Sequence, residues 1–336
     1  MNSRVIITGP SLAADAVSTL EAAGLSPVFV DAYSSGEELV AAVRRADPVA
    51  IISRMGKIDG AVLNAAPHLK VISKHGVGVD NIDIQLAGEK GIPVLVASGA
   101  NAVSVAEHAM ALLLAVAKRL PALDAGVREG RWEKPGFSGR ELAGSTLGMV
   151  AFGAIARRFA KYAQSFDIRV LAFDPFCPAH EFVASGVERV GSLEELLSAS
   201  DAISLHCPLT AETRHLINAD SIGLMKRDAI LINTARGGLI DESALVDALD
   251  AGRLAGAGLD TFAQEPPPGD HAFWSQRNLV LTPHIGGVTR AANIRVGQQA
   301  AQGVVDFLLG KAIEPGRIVN ADSLSVRDEM RSAATS

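Results

Sequence analysis

The sequence predicts an α/β protein made of two doubly wound parallel-sheet domains, and three observations support this. Hydrophobic residues make up 48% of the chain but aromatic residues only 4%, so the cores must consist of Ala, Val, Leu and Ile. Short β-branched runs alternate with helical patterns along most of the chain, which is typical of βαβ units. The 336 residues suit two domains, at roughly 100–200 residues for each.

The amino-terminal part of the chain contains candidate strands separated by helix-like stretches. The strand candidates are Val5–Thr8, Val28–Asp31, Ala50–Ser53, Val71–Lys74 and Val94–Ala97. Ala13–Ala23 and Glu37–Ala46 have a helical pattern. Because parallel neighbours need crossover connections, this alternation predicts an open five-stranded sheet covered by helices.

A second series of strands begins after an apolar helix, which we predict over Ala102–Lys118. Its members are Leu147–Phe152, Val170–Asp174, Ala202–His206, Ala229–Asn233, Gly256–Asp260 and Leu279–Thr282. Successive strands start about 20–30 residues apart, as in a doubly wound nucleotide-binding domain. A last helix is predicted over Ala291–Leu309, and the polar tail Ser323–Ser336 is expected to fray.

Composition and charge exclude several function classes. The net charge is −6, so the basic surplus that is typical of nucleic-acid binders is missing. The longest apolar stretch, Ala109–Ala117, is far shorter than the roughly 20 residues that span a bilayer. The histidines and cysteines lack metal-ligand spacing. Cys177 and Cys207 are interpreted as reduced thiols, and we expect a cytoplasmic protein without membrane, nucleic-acid or metal partners.

The segment Leu147–Ala156 predicts a strand that enters a helix at a phosphate-binding turn. Compared with the pattern G-x-G-x-x-G, its three key positions hold Ala151, Gly153 and Ala156. Gly153 would let the backbone approach a pyrophosphate at the helix start. Alanine is an accepted variant at the third position, and at the first it is tolerable if Ala151 keeps a negative φ. The alternative is an ordinary strand-to-helix turn.

Asp174 stands at the end of the next predicted strand, about 20 residues downstream, where a carboxylate can accept both ribose hydroxyls of NAD. The residues that follow it, 175–178, include no Arg or Lys that could neutralise a 2′-phosphate. The sequence therefore favours NAD over NADP. The alternative is an aspartate that starts a turn.

Several blocks in the same order resemble the D-isomer-specific 2-hydroxyacid dehydrogenase family. They are Lys74–Asp83, Asn101–His108, Leu142–Ile155, His206–Thr210, Ile232–Asp241, Gly258–Pro266 and Thr282–Gly287. The resemblance implies a Rossmann cofactor domain, residues 99–288, inserted into a flavodoxin-like substrate domain, residues 1–98 plus 289–336. It also implies a homodimer, with the apolar helix Ala102–Lys118 packed against its twofold mate and Trp132 as an anchor.

Three residues are the candidates for catalysis. Arg236 follows a predicted strand, so it emerges at the sheet edge where open α/β proteins bind ligands. Its guanidinium could hold the carboxylate of a 2-keto acid and polarise the keto oxygen. His284 follows the final strand and could give a proton to that oxygen near neutral pH. By resemblance, Glu265 hydrogen-bonds the other ring nitrogen, and its charge would favour the protonated imidazole.

The resemblance also implies a set of cofactor contacts, in which Asp260 would bind the nicotinamide carboxamide. The set comprises Ser104, Gly153, Ala154, Ile155, Asp174, Cys207, Pro208, Thr213, Thr234, Ala235, Asp260, Gly286 and Gly287. On the substrate side, the backbone amides of Gly76, Val77 and Gly78 suit a carboxylate. Arg54, Lys74 and His75 follow neighbouring strands and could bind a second anionic group. The alternatives are a plain strand-to-helix turn and solvated surface charges.

These residues predict an NAD-dependent oxidoreductase that interconverts a small D-2-hydroxy acid and its 2-keto acid. Glyoxylate, hydroxypyruvate, phosphoglycerate and sulfolactate-like acids remain open as substrates. One alternative is a formate dehydrogenase of the same fold, for which the resemblance predicts Gln where Glu265 stands. The other is an NAD-sensing corepressor or scaffold that keeps the fold and acts by binding partners.

Overall fold

The computed structural model describes residues 3–32 and 34–324 and divides the chain into two units. The first unit takes Met1–Asn101 and Thr289–Ser336, and the second takes Ala102–Val288. The second unit is therefore inserted into the first. Each has its own parallel sheet with helices on both faces, which confirms the predicted fold class.

The first unit contains a five-stranded sheet in the order β2-β1-β3-β4-β5, which is the flavodoxin-like order. Its strands are β1 (Arg4–Thr8), β2 (Ser26–Val30), β3 (Ala50–Ser53), β4 (Val71–Lys74) and β5 (Val94–Leu95). The helices between them are α1 (Ala14–Ala22), α2 (Gly36–Ala46), α3 (Gly60–Asn64) and α4 (Ile84–Glu89). Along β1 the buried side chains alternate between two cores: Ile6 faces one and Val5 and Ile7 the other. Both faces are thus covered, as a parallel sheet requires.

The second unit contains a seven-stranded parallel sheet in the order β12-β11-β10-β9-β6-β7-β8. Its strands are β6 (Thr146–Val150), β7 (Arg169–Phe173), β8 (Glu188–Arg189), β9 (Ala202–Leu205), β10 (Ala229–Asn233), β11 (Leu254–Leu259) and β12 (Leu279–Leu281). Its α-helices are α5 (Ala102–Lys118), α6 (Leu120–Arg128), α7 (Ala154–Gln164), α8 (Ala179–Ala184), α9 (Leu193–Ala199), α10 (Ala219–Leu224) and α11 (Glu242–Asp250). The strand order reverses between β6 and β9, and such switch points bind dinucleotides.

The carboxyl-terminal helix α12 (Arg290–Leu308) packs on the first unit, where Ala300 and Val304 join the core that holds Val5 and Ile7. The segment after it binds the edge strand β5. The side-chain oxygen of Asn320 accepts from the Val94 amide at 2.9 Å, and its side-chain nitrogen donates to the Ile92 carbonyl at 3.0 Å. Of the tail that was expected to fray, Ser323 and Leu324 are described, and the rest lies outside the described residues.

Two expectations about elements are wrong. The strand β8 was not predicted, because it has only two residues, Glu188 and Arg189, both charged and exposed at the sheet edge. The apolar helix α5 was expected to have more apolar surface than one domain could bury. Instead, most of its apolar residues are buried against β10, β11 and α7 of its own unit. Trp132, the expected anchor of a dimer, is 74% exposed in the single chain, so that role stays a prediction.

Within residues 3–32 and 34–324, no helix combines the length and apolar character that membrane crossing requires. No group of His, Cys, Asp and Glu side chains in the same ranges is arranged to hold a metal ion.

Candidate active site

The helix α7 begins directly after β6, and its amino terminus is open. Gly153 is the capping residue, and it has no side chain that could accept from the first-turn amides. A Cβ built on Gly153 would meet no other atom within 4 Å. The amides of Ala154 and Ile155 lie in this first turn, where unpaired N–H groups attract anions. This turn fits the pyrophosphate of a dinucleotide.

Ala151 departs from its expected conformation. Its φ is +70°, in the left-handed region, whereas a negative φ was expected. Its amide donates to the Phe173 carbonyl at 2.8 Å, which extends the β6–β7 pairing by one residue before the chain turns into α7. That turn requires a left-handed residue, and alanine adopts this region at a cost of about 1–2 kcal/mol relative to its ordinary helical conformation.

The Asp174 carboxylate organises the neighbouring backbone. One oxygen accepts from the Phe152 amide at 2.8 Å. The other accepts from the amides of Phe176 and Cys177 at 2.9 and 3.0 Å. Although residues 175–178 include no Arg or Lys, Asp174 does have a basic neighbour: the Arg189 guanidinium donates to the Asp174 carbonyl at 3.4 Å. The residues 175–178 gave no sign of it, because Arg189 arrives from the neighbouring strand β8.

Other predicted cofactor residues lie at the carboxyl ends of β9 and β10. After β9, Cys207 is buried, and the Thr213 hydroxyl donates to the Pro208 carbonyl at 2.7 Å. After β10, Thr234 is buried, and its hydroxyl has no partner within the described part of the chain. Ala235 follows, and its amide donates to the Asn233 side chain at 3.0 Å. Since carboxyl ends of parallel strands share one edge, these segments border the same crevice as the α7 turn. A further member of the predicted set, Ser104, is buried on α5.

The structure brings the Arg236 segment directly against the segment that carries Glu265. A Cβ built on Gly237 would lie 1.9 Å from the Phe262 carbonyl carbon, so the two backbones touch there. Phe262 in turn donates its amide to the Glu265 carboxylate at 3.0 Å. The positive charge of Arg236 is one of the influences that lower the pKa of Glu265.

His284 and Glu265 form a close pair, with 2.7 Å between the histidine Nδ1 and the glutamate Oε2. Their side chains are 47% and 37% exposed, so the pair remains accessible. Burial acts to raise the pKa of Glu265, but hydrogen bonds from His284 and the Phe262 amide outweigh it and lower that pKa overall. Glu265 therefore stays ionised near neutral pH and orients the imidazole through Nδ1. Among the described residues, the contact to Glu265 uses Nδ1 and not Nε2, the other ring nitrogen.

Asp260 holds the turn that presents His284. It is only 1% exposed. Its carboxylate accepts from the Thr282 hydroxyl at 2.6 Å, the Ile285 amide at 2.8 Å and the Gly286 amide at 2.7 Å. Burial acts to raise the pKa of Asp260, but hydrogen bonding from His108, followed by that from Thr282 and from the Ile285 and Gly286 amides, lowers it overall. Gly287 is the next residue of the turn. Both Asp260 oxygens thus bind protein groups, and its predicted contact with nicotinamide stays a prediction.

The predicted substrate residues of the first unit lie at the carboxyl edge of its sheet. Arg54 follows β3, and its guanidinium donates to the Ser11 carbonyl and, at 3.2 Å, to the Ser11 hydroxyl. Lys74 ends β4 and donates to Asn81 at 2.6 Å. Burial, followed by the charge of Arg54, lowers the pKa of His75 to about 4, so His75 is neutral at pH 7.

The loop of residues 76–78 follows His75. Its Gly76 has a φ of +143°, a conformation that a side chain would strain, and Val77 is exposed. The loop therefore offers backbone rather than side-chain groups to a ligand.

The sequence indicated no role for three polar residues near the site: His108, Glu242 and His271. His108 on α5 contacts Thr282. Glu242 at the start of α11 contacts Ala263 and His271, in the segment that also carries Glu265. Each acts across a long stretch of chain, so no local motif signals it. Of these residues, only His108 lies in a block that resembles the family, Asn101–His108.

Comparison with known proteins places the site in a family context. A model of the NAD-binding domain of D-isomer specific 2-hydroxyacid dehydrogenases matches residues 110–286. The open α7 turn and the unpartnered Thr234 hydroxyl, both within that range, fit this cofactor. The D-3-phosphoglycerate dehydrogenase of Methanocaldococcus jannaschii is 40% identical over 321 residues, covering 96% of this chain and 60% of that protein. The chain thus spans less than two thirds of that relative.

A second relative and a solved structure match over more of their own lengths. The hydroxypyruvate reductase of Thermotoga maritima is 43% identical over 263 residues, covering 78% of this chain and 84% of that protein. The crystal structure of the TT0316 protein from Thermus thermophilus has a TM-score of 0.84 and 38% identity, covering 94% of this chain and 99% of that one. On these grounds, the chain belongs to the D-isomer-specific 2-hydroxyacid dehydrogenase family.

Proposed function

We propose that this protein is an NAD-dependent oxidoreductase that transfers a hydride between NAD(H) and a small D-2-hydroxy acid or its 2-keto partner. The observation that carries the proposal is the 2.7 Å pair of His284 and Glu265. The charge of Arg236 reaches the same carboxylate. The second unit therefore contains the proposed proton donor His284, the Glu265 carboxylate that orients it, and Arg236, a cation that can bind a carboxylate.

In the direction of reduction, His284 supplies the proton that the keto oxygen needs. Its Nδ1–H donates to the ionised Glu265, so the proton to be transferred is on Nε2. Bound NADH supplies the hydride. In oxidation the neutral imidazole takes the hydroxyl proton back through the same atom, and Glu265 stabilises the imidazolium that forms.

Arg236 binds the substrate carboxylate and orients the keto group. Its planar guanidinium can form two parallel hydrogen bonds to a carboxylate, which fixes the substrate as well as attracting it. The Asn233 side chain donates to the Arg236 carbonyl at 2.8 Å, so the backbone that carries the guanidinium is held in place.

NAD is preferred over NADP in this proposal, because the Asp174 carboxylate would repel a 2′-phosphate. Arg189 opposes that preference, since its guanidinium lies against the Asp174 backbone. We expect kcat/KM for NADH to exceed that for NADPH by about tenfold. Replacing the cation by Arg189→Gln should widen the ratio. Equal values in the wild type, or a ratio that narrows in the variant, would contradict the assignment.

The first unit contributes to substrate choice in this proposal. The backbone amides of residues 76–78 suit an anionic group, and Arg54 and His75 suit a second polar or anionic group. Because His75 is neutral at pH 7, Arg54 is the charged member of that pair. Arg54→Gln should therefore raise KM for phosphohydroxypyruvate more than for glyoxylate. An equal change for both acids would show that Arg54 does not choose between them.

The direct test is NADH oxidation with a panel of 2-keto acids: glyoxylate, hydroxypyruvate, phosphohydroxypyruvate and sulfopyruvate. The configuration of the product is then determined by chiral chromatography. We expect a D product, and a loss of about 10²–10⁴-fold in kcat for His284→Gln. His68→Gln is the matched control, because His68 pairs with Asp47 on an exposed surface of the first unit. No turnover with any acid would overturn the proposal.

Two alternatives make different predictions in the same assay. Formate oxidation needs no proton exchange at oxygen, so the Glu265–His284 pair would have no purpose in it. A corepressor or scaffold would bind NADH without turning over any keto acid. The paired acid and base favour the hydroxyacid reaction over both.

We also propose a cytoplasmic homodimer. The exposed apolar side chains Leu120, Val127 and Trp132 on and after α6 support an interface there. The free thiols of Cys177 and Cys207 suit a reducing compartment. Light scattering should give twice the 34.9 kDa chain mass, and Trp132→Lys should return the mass to that of one chain. A wild-type mass near that of one chain at micromolar concentration would exclude the dimer.

A further inference from the structure

We propose that His108 is a positioning residue, which holds the His284 turn in its working conformation through Thr282 and Asp260. The inference rests on the proposed function for its consequence in catalysis, but the positioning itself is a property of the free protein. All the groups involved lie in the second unit.

The contacts form a directional chain of hydrogen bonds. The Thr282 hydroxyl donates to Asp260 Oδ1 at 2.6 Å. A hydroxyl has one hydrogen to donate, so at the 2.8 Å contact between His108 Nε2 and Thr282 Oγ1 the histidine must be the donor. His108 Nε2 also lies 3.4 Å from Asp260 Oδ1. A donor on α5 thus fixes both the hydroxyl and the carboxylate.

Asp260 in turn holds the backbone of the His284 turn through hydrogen bonds. Its backbone carbonyl accepts from the His284 amide at 2.7 Å, and its carboxylate accepts from the Ile285 and Gly286 amides. His284 has a φ of +54°, which a non-glycine residue adopts only when its surroundings hold it there. Three successive amides are therefore tied to one buried aspartate.

The packing around Gly286 is a second, independent observation that supports a positioning role for His108. A Cβ built on Gly286 would lie 2.9 Å from Asp260 Oδ2 and 3.4 Å from Cδ2 of the His108 ring. The turn is therefore in close contact with both residues of the network. His108 thus supports the turn sterically as well as through its hydrogen bond.

The test compares His108→Leu, which has similar volume and no donor, with His108→Gln, which keeps an N–H donor. Hydrogen–deuterium exchange of the free protein is followed for a peptide that covers residues 282–288. We expect His108→Leu to speed exchange in this peptide by about tenfold, the factor that corresponds to about 1.4 kcal/mol. His108→Gln should restore most of the protection. A peptide from β9 should be unchanged, because a local effect spares the sheet.

Kinetics gives the second readout. His108→Leu should lower kcat for keto-acid reduction by about tenfold and leave KM within about twofold, since Arg236 still binds the carboxylate. If wild type reduces no keto acid, the proposed function fails while the exchange experiment still decides the positioning role. If His108→Leu does not fold, the same comparison is made at Thr282. Thr282→Val removes the hydroxyl that His108 contacts, and Thr282→Ser keeps it. Unchanged exchange at the turn, equally faster exchange at β9, or failure of the Gln and Ser variants to restore protection would overturn the inference.

Discussion

At the scale of single residues, Ala151 and His284 are two non-glycine residues of the candidate active site that adopt left-handed backbone conformations. Their φ values are +70° and +54°. The sequence placed Arg236 and His284 at strand ends, and the family resemblance paired Glu265 with His284. It did not predict either left-handed conformation. In both turns the residue donates its amide to a distant segment, Ala151 to the Phe173 carbonyl and His284 to the Asp260 carbonyl.

Ala151→Gly should stabilise the second unit, because glycine adopts a positive φ without steric cost. The expected gain in unfolding free energy is about 1 kcal/mol, after allowing for the greater entropy of glycine in the unfolded chain. Calorimetry measures it, and NADH fluorescence titration shows whether cofactor affinity rises as well. Ala184→Gly, in the last turn of α8, should have the opposite sign. A loss of stability in Ala151→Gly would show that the turn is not strained.

Gly237→Ala should be among the most damaging single-methyl changes in the chain. The new Cβ would lie 1.9 Å from a backbone carbon of Phe262, so the segment that carries Glu265 must move. We expect a loss of about 3 kcal/mol in unfolding free energy and a large fall in kcat. Gly223→Ala in α10 is the control, since its Cβ would meet nothing within 4 Å. If Gly237→Ala and Gly223→Ala were equally stable and equally active, the close approach of Gly237 to Phe262 would be refuted.

At the scale of elements, prediction succeeded where burial shapes the sequence. The strands β3, β4 and β10 and the helix α5 match their predicted bounds, because continuous apolar or branched runs reflect burial on both faces. Prediction failed at β8, whose exposed charged residues carry no such signal. It also misjudged what covers α5, since an apolar helix looks the same whether its own sheet or a partner buries it.

The contact of α11 with the segment before β12 illustrates what sequence alone does not reveal. Glu242 accepts from the Ala263 amide at 2.9 Å and pairs with His271 at 3.1 Å. The Phe273 amide donates to the other ring nitrogen of His271, so the nitrogen facing Glu242 is the donor. This clamp holds the segment that contains Glu265.

Glu242→Leu should lower stability by about 2 kcal/mol, because it leaves a backbone donor and a histidine N–H without their acceptor. Glu242→Gln keeps an acceptor for Ala263 and should lose less. Urea unfolding monitored by tryptophan fluorescence measures both, since Trp274 lies in the clamped segment. If the Gln and Leu variants lose equal stability, the charge rather than the backbone hydrogen bond is the important contribution.

At the scale of the whole molecule, each unit contains a histidine that burial keeps neutral. Burial lowers the pKa of His75 in the first unit and of His206 in the second to about 4. The unfolded chain protonates histidine near pH 6.5, so between about pH 6.5 and 4 it binds more protons than the folded one. Stability should therefore fall as pH falls through this window. Carboxylates with lowered pKa values, such as Asp260, act only below about pH 4.

His206→Gln should reduce this acid sensitivity. The Nε2 of His206 is buried and has no partner among the described residues. Between pH 7 and pH 5, the variant should lose about 2 kcal/mol less unfolding free energy than wild type. Urea unfolding at the two pH values measures the difference. Identical losses would mean that His206 gains a proton in the folded protein as readily as in the unfolded chain.

The proton-transfer pair is the central claim, and the pH profile of kcat/KM for keto-acid reduction tests it most directly. The Glu265 carboxylate, whose pKa the hydrogen bond from His284 lowers, lies 2.7 Å from Nδ1 of the imidazole, and a negative charge at that distance stabilises the imidazolium that gives the proton. Glu265→Gln removes that charge and should therefore move the alkaline limb of the profile to lower pH, with less change in the low-pH plateau.

Arg236→Lys is the control for that profile, because it keeps the charge but loses the paired hydrogen bonds, and it should raise KM without moving the limb. The measurement compares wild type, Glu265→Gln and Arg236→Lys over the same pH range with the best keto acid of the panel. A limb that shifts only in Glu265→Gln is the predicted result. Profiles of wild type and Glu265→Gln that coincide in shape and differ only in height would contradict the assignment of His284 as the proton donor tuned by Glu265.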